Sequence, residues 1–175
     1  MKRSIGVFDL SRKGIVVAVF AMLATLFAGG CGTTARVLNL DTEVHLNFQV
    51  WPNINPDEAG RPSPLVVRVF ELKDARQFQT EDFIGLFQES RERLGGDLIA
   101  ETRLRELAPG LDRTEVLKVE PTVRYIGLLA EFAQYENAQA RVVFPIEAHR
   151  TTEKIIWVNK TSIRLSDDEK PENAN

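Results

Sequence analysis

Alternation of apolar and polar residues is the feature that most restricts how this chain can fold. Between residues 44 and 50 every second residue is apolar, and the residues between them are polar. This period of two predicts a strand with one buried and one solvated face. Six further segments predict strands: Leu65–Leu72, Ile99–Leu104, Glu115–Val119, Arg124–Phe132, Arg141–Ala148 and Ile155–Leu165. Seven short strands separated by turn-forming residues predict an all-β fold, an antiparallel β-sandwich.

One segment between the second and third predicted strands has helical spacing instead. Phe83, Leu86 and Phe87 recur on one face of a helix. Thr80 is the predicted N-cap, two acidic residues follow it, and Gly95-Gly96 is the predicted stop. The sequence therefore predicts a helical insertion that packs on the edge of the sandwich. The residues leave open whether this insertion is a packing element or a second interface.

The beginning of the chain predicts export and lipidation. Four basic residues precede an uncharged apolar segment of 13 residues, Ile15–Phe27. That length is typical of a signal peptide and falls short of the roughly 20 residues that a transmembrane helix needs. Small residues then lead to Cys31, the only cysteine of the chain. This pattern predicts a lipoprotein signal peptide at residues 1–30, whose removal leaves Cys31 as the acylated N-terminus. The alternatives are an ordinary secretory signal, with Cys31 there by chance, and a transmembrane anchor.

Removal of the signal peptide would leave an acidic chain. The sequence has 22 Lys and Arg and 25 Asp and Glu, of which residues 1–30 hold four and one, so the remainder carries a net charge of −6. This charge makes nucleic acid an unfavourable partner. A single cysteine also excludes a disulfide within the chain. We expect a tether at residues 31–41, one β-sandwich domain at 42–166 and a disordered tail at 167–175.

Residues suited to catalysis or metal binding are scarce. The two histidines, His45 and His149, lie on or at the end of predicted strands, so we expect solvated side chains, with a ligand role as the alternative. The sequence contains no phosphate-binding glycine loop, nucleophile elbow or zinc-ligand spacing. We therefore expect no enzyme activity, cofactor, metal or small-molecule substrate. A small-ligand carrier would need a large apolar pocket, and a lipoprotein hydrolase would need a Ser, His and Asp set.

The connection between the first two strands, Trp51–Pro64, is the candidate binding segment. It is too long for a tight hairpin and contains four prolines, which restrict its freedom in the unfolded chain. Ile54 is predicted to be an exposed apolar residue, and Arg61 offers a guanidinium that can make forked contacts. One interpretation is a loop shaped for a partner protein. The other is a stiff connector whose prolines block edge pairing.

A succession of short motifs behind the lipidation signal resembles one family. These motifs are Asn55-Pro56-Asp57, the run Gly60–Lys73, Asp82-Phe83, Leu94-Gly95, Leu107–Gly110 and Tyr125–Gly127. In this order they resemble the TssJ (SciN/VasD) lipoproteins of type VI secretion systems, over nearly the whole chain after Cys31. The resemblance implies a transthyretin-like β-sandwich with helical additions.

The resemblance also implies a function. TssJ-like proteins are outer-membrane lipoproteins that face the periplasm and bind the periplasmic C-terminal region of TssM, which with TssL completes the membrane complex. We therefore expect a structural anchor held in the outer membrane by acyl chains on Cys31. In that family the loop between the first two strands contacts TssM. By position, the residues that this implies are Asn53, Ile54, Asn55, Pro56, Asp57, Glu58, Gly60, Arg61 and Pro62.

Overall fold

The computed structural model describes residues 41–167. Besides two short 3-10 helices, Gly95–Asp97 and Tyr135–Asn137, the chain forms eight strands and two α-helices within this range. They are β1 (Thr42–Val50), β2 (Val67–Leu72), α1 (Arg76–Thr80), α2 (Phe83–Leu94), β3 (Leu98–Arg103), β4 (Arg113–Val119), β5 (Tyr125–Ala130), β6 (Arg141–Pro145), β7 (Thr151–Asn159) and β8 (Ser162–Leu165). The predictions for the signal peptide, Cys31, the tether before Asp41 and the tail after Asp167 lie outside the described residues.

The strands form two four-stranded sheets, in the orders β4-β1-β7-β8 and β3-β2-β5-β6. The alternation in β1 places Val44, Leu46 and Phe48 in the core between them, each at most 1% exposed. This confirms the predicted all-β sandwich. One pairing departs from the antiparallel prediction, because β1 and β7 run parallel.

Two strands occupy the segment predicted as one, Ile155–Leu165. β7 and β8 pair antiparallel across a tight turn in which Lys160 has φ 48°. The polar residues 159–161 interrupt the apolar pattern at this turn, so the sequence does contain a local signal for two strands. β6 likewise ends at Pro145, three residues before its predicted end.

The helical insertion lies between β2 and β3, as predicted, but its N-cap differs. Thr80 is the last residue of α1. Asp82 caps α2, and its side chain accepts a hydrogen bond from the Gly85 N–H at 2.7 Å. An aspartate at this position also interacts favourably with the helix dipole. Gly95, with φ 50°, ends α2 as predicted.

The insertion packs on the outer face of the β3-β2-β5-β6 sheet, and not on the sandwich edge as predicted. The Phe78 ring lies 5.2 Å from the ring of Phe70 on β2 and rests on Gly127 of β5. The Arg141 guanidinium on β6 donates hydrogen bonds to the carbonyl oxygens of Phe78, at 3.0 Å, and Glu81. β5 is therefore covered on both faces, which explains why its residues from Ile126 onward are all buried.

The strand directions give the sandwich two distinct ends. β1 begins beside the end of β4 and the start of β7, and we call this side the N-terminal end. The connections β1–β2, β3–β4, β5–β6 and β7–β8 lie at the other side, which we call the loop end. β1 has nine residues, so the two ends are about 30 Å apart.

Candidate partner-binding site

The base of the β1–β2 loop is fixed by a buried apolar residue. Ile54 is 0% exposed and belongs to the core cluster. The prediction that Ile54 is an exposed apolar residue is therefore wrong. Burial of a side chain of this size stabilises the fold by roughly 1.5–3 kcal/mol, so Ile54 holds the loop onto the sandwich.

Asn55 joins the loop to two other connections at the loop end. Its backbone N–H donates to the Lys160 carbonyl at 2.7 Å, in the β7–β8 turn. Its side-chain amide donates to the Pro64 carbonyl and accepts from the Ala133 N–H, both at 2.8 Å. The φ of Asn55 is 45°, a conformation that asparagine tolerates better than most residues. Asn55 is 6% exposed, so it organises the loop from inside.

The tip of the loop is a closed turn built around Asp57. Its Oδ1 accepts hydrogen bonds from the backbone N–H groups of Ala59 and Arg61, both at 2.9 Å. Its Oδ2 accepts from the Arg61 Nε at 2.9 Å. These hydrogen bonds from Arg61, backbone first, hold the pKa of Asp57 below its usual value. Gly60, with φ 77°, closes the turn, so the tip is shaped before any partner arrives.

Burial divides the predicted site residues into a surface and a scaffold. Asn53, Glu58, Gly60, Arg61 and Pro62 are exposed, Pro56 and Asp57 are half-buried, and Ile54 and Asn55 are buried. The structure therefore brings all nine together in one loop. The seven exposed or half-buried residues are accessible to a partner. The two buried residues, Ile54 and Asn55, support the loop from inside.

Two neighbouring connections extend this surface, and the sequence interpretation missed both. On one side, the Gln134 side chain donates to the carbonyl oxygens of Pro56 and Asp57 at 3.2 and 3.3 Å. On the other side, the Gly110 N–H donates to the Trp51 carbonyl at 3.2 Å, and the next residue, Leu111, is 65% exposed. The order of the chain does not reveal these contacts, because they join segments about 60 to 80 residues apart.

The histidines lie away from the loop end. His45 is on the outer face of β1, 3.5 Å from a carboxylate oxygen of Glu43 and 3.7 Å from one of Glu153. It is thus half-buried and paired, and not simply solvated. The His149 N–H donates to Thr42 Oγ1 at 2.9 Å in the β6–β7 connection. Among residues 41–167, no group of His, Cys, Asp and Glu is arranged to hold a metal ion.

A groove of about 560 Å³ lies between the edge strands β6 and β8 and is lined by Gln139, Arg141 and Arg164 among others. It is open to solvent, unlike the enclosed apolar cavity that a small-ligand carrier needs. None of the helices in the described part of the chain is long and apolar enough to cross a membrane.

Comparison with solved structures finds close likeness in fold. The type VI secretion lipoprotein TssJ1 of Pseudomonas aeruginosa is 29% identical, with a TM-score of 0.66 over 71% of this chain and 95% of that one. A chain described as part of a type VI membrane complex is 30% identical, with a TM-score of 0.61 over 70% and 96%. A chain from a structure described as the TssM C-terminal domain from EAEC is 28% identical, with a TM-score of 0.60 over 70% and 96%. No curated protein sequence matches.

The sequence profile of one family covers residues 42–166, which is the whole β-sandwich. The family is described as type VI secretion lipoprotein, VasD, EvfM, TssJ, VC_A0113. Its members are structural secretion lipoproteins and not enzymes. The chain therefore belongs to the TssJ family of type VI secretion lipoproteins.

Proposed function

We propose that this protein anchors the type VI secretion membrane complex to the periplasmic face of the outer membrane. Acyl chains on Cys31 hold it there, and the β1–β2 loop binds the periplasmic C-terminal domain of TssM, the protein that TssL accompanies in the complex. Family membership and the likeness to chains in structures described as a type VI membrane complex and the TssM C-terminal domain support this role.

The observation that carries the proposal is the position of the preformed loop tip. β1 begins at Thr42, next to the predicted tether, and the Asp57–Arg61 turn lies at the opposite end of the sandwich. A tether of residues 31–41, fully extended, reaches about 35–40 Å. A tether of this length allows the loop end to face a protein that comes from the inner membrane.

Rigidity of the tip favours binding. Because Asp57 and Arg61 already hold each other, little conformational entropy is lost when a partner docks. Attachment of this protein and TssM to opposite membranes confines them to the same narrow space and raises their effective concentration. A modest affinity is therefore enough to maintain the complex.

The test is calorimetric titration of the mature acylated protein, residues 31–175, in detergent, with the purified TssM periplasmic domain. In the test variant, residues 56–62 become a Gly/Ser loop, while Ile54 and Asn55 stay to preserve the scaffold. We expect micromolar or tighter binding by the wild type and a loss of at least about tenfold in the variant.

The matched control exchanges Glu147 and Arg150, an exposed ion pair at the N-terminal end with an N–O distance of 3.0 Å. It is expected to leave the affinity unchanged. Absence of binding by the wild type would overturn the proposed partner, and unchanged affinity in the loop variant would overturn the proposed site.

A further inference from the structure

A column of stacked aromatic rings stands beside the β1–β2 loop. The Phe83 ring lies between those of Tyr135 and Phe87, with centroid distances of 4.8 and 5.8 Å and interplanar angles of 12° and 11°. The Arg68 guanidinium lies over the Phe87 ring, 4.6 Å from its centroid. This parallel stacking, together with the cation over Phe87, fixes the first two turns of α2 against the β5–β6 connection.

Part of this column is exposed to solvent. Phe87 is 37% exposed, and Ile84, one residue after Phe83 on α2, is 39% exposed. Stacking and core packing account for the position of Phe83. They do not account for an apolar side chain at Ile84, on the solvent-exposed side of the same helix. Apolar side chains grouped at the surface with polar residues around them are typical of protein–protein contact sites.

The aromatic column lies next to the proposed binding loop. Tyr135, at one end of the column, follows Gln134, whose side chain hydrogen-bonds the loop carbonyls of Pro56 and Asp57. The loop tip, the Gln134–Tyr135 segment and the Ile84–Phe87 face of α2 therefore form one surface at the loop end. Its charged part is the Asp57–Arg61 turn, and its apolar part is on α2.

We propose that Ile84 and Phe87 are the apolar part of the TssM-binding surface, so that one bound domain covers both the loop tip and α2. The inference rests on the proposed function. It requires an apolar side chain of the partner against Ile84, next to polar groups that meet the loop.

The test compares two isoleucines of equal exposure. Ile84→Glu changes the proposed surface, and Ile155→Glu changes a residue that is 38% exposed on β7. Both variants are prepared as mature acylated protein in detergent and titrated with the TssM periplasmic domain. We expect the dissociation constant to rise at least about tenfold for Ile84→Glu and less than about twofold for Ile155→Glu.

A second measurement does not depend on the stability of a charged variant. A photoreactive benzoylphenylalanine is placed at position 84 or at position 155 and irradiated in the presence of the TssM domain. We expect a cross-link from position 84 and none from position 155.

The outcomes separate this inference from the proposed function. If the wild type binds and loop replacement weakens binding, but Ile84→Glu does not and position 84 gives no cross-link, the inference fails and the proposed function stands. If the wild type does not bind, both fail. If light scattering finds a dimer that Ile84→Glu dissociates while TssM affinity is unchanged, the apolar face serves a second copy of the chain and the inference is wrong.

Discussion

Gly127 lies directly beneath the ring of Phe78, and a β-carbon at this position would be 2.8 Å from the ring. The contact joins the centre of β5 to the helical insertion. We predict that Gly127→Ala destabilises the protein by ~1–3 kcal/mol, because the ring must move within a packed layer. Urea unfolding measures this.

The control is Gly96→Ala, since a β-carbon at Gly96 would meet nothing within 4 Å. That variant is expected to stay within about 1 kcal/mol of the wild type. Equal stability of the two variants would mean that the insertion does not press on β5.

Asn55 is predicted to control binding without touching the partner. Asn55→Ala removes the hydrogen bonds to Pro64 and Ala133 and places alanine at a positive φ. We expect a loss of stability of ~2–3 kcal/mol and weaker TssM binding, because the tip loses its support. Thermal unfolding and calorimetry check the two effects.

Asn53→Ala is the matched control, because Asn53 is exposed in the same loop. It is expected to leave the unfolding temperature unchanged. If Asn55→Ala binds TssM with wild-type affinity while the fold is retained, the preformed tip is unnecessary for binding.

Glu71 is expected to make stability depend on pH. Burial raises the pKa of this carboxyl above its usual value of 4.5, and the charge of Glu120 adds to the increase. The folded state therefore binds the proton more tightly than the unfolded state. This contribution is complete below the unfolded pKa and is lost as the pH rises through the folded pKa.

Glu71→Gln should accordingly be more stable than the wild type at pH 7 and show a weaker decrease in stability as the pH rises from 4 towards 7. Urea titrations at four pH values in this range provide the measurement. A variant that is less stable than the wild type at pH 7 would contradict the expected direction.

Cys31→Ser is predicted to abolish acylation and attachment to the outer membrane while the sandwich still folds. The reason is that serine has no thiol to receive the lipid, and no other cysteine exists in the chain. Mass spectrometry of the exported protein and membrane fractionation report the two effects. Recovery of an acylated Cys31→Ser protein in the outer membrane would refute the lipidation site.

Local signals account for what the sequence predicted correctly. The alternation in β1 and the stop at Gly95 depend on neighbouring residues only. The burial of Ile54 was not predicted, because a single apolar residue in a proline-rich loop has no periodicity that would indicate a buried face. Its burial results from contacts that fold the loop back, such as the hydrogen bond of Asn55 to Lys160, more than 100 residues away in the chain.

The parallel pairing of β1 with β7 was missed for the same reason. Strand direction within a sheet depends on the path of the whole chain between the two strands, and no residue in either strand encodes it. The surface formed by Gln134, Tyr135 and α2 likewise depends on which connections meet at the loop end. The sequence could therefore predict the loop but not its neighbours.

The place of β1 in its sheet has a mechanical consequence. β1 is paired on one side with β4 over Thr42–Phe48 and on the other side with β7 over Glu43–Val50. A pull between Asp41 and the loop tip runs along the strand axis, across the direction of both rows of hydrogen bonds. The rows must then yield together and cannot open one bond at a time. The strand that joins the two ends of the domain is thus loaded in shear, the direction in which a β-sheet best resists tension.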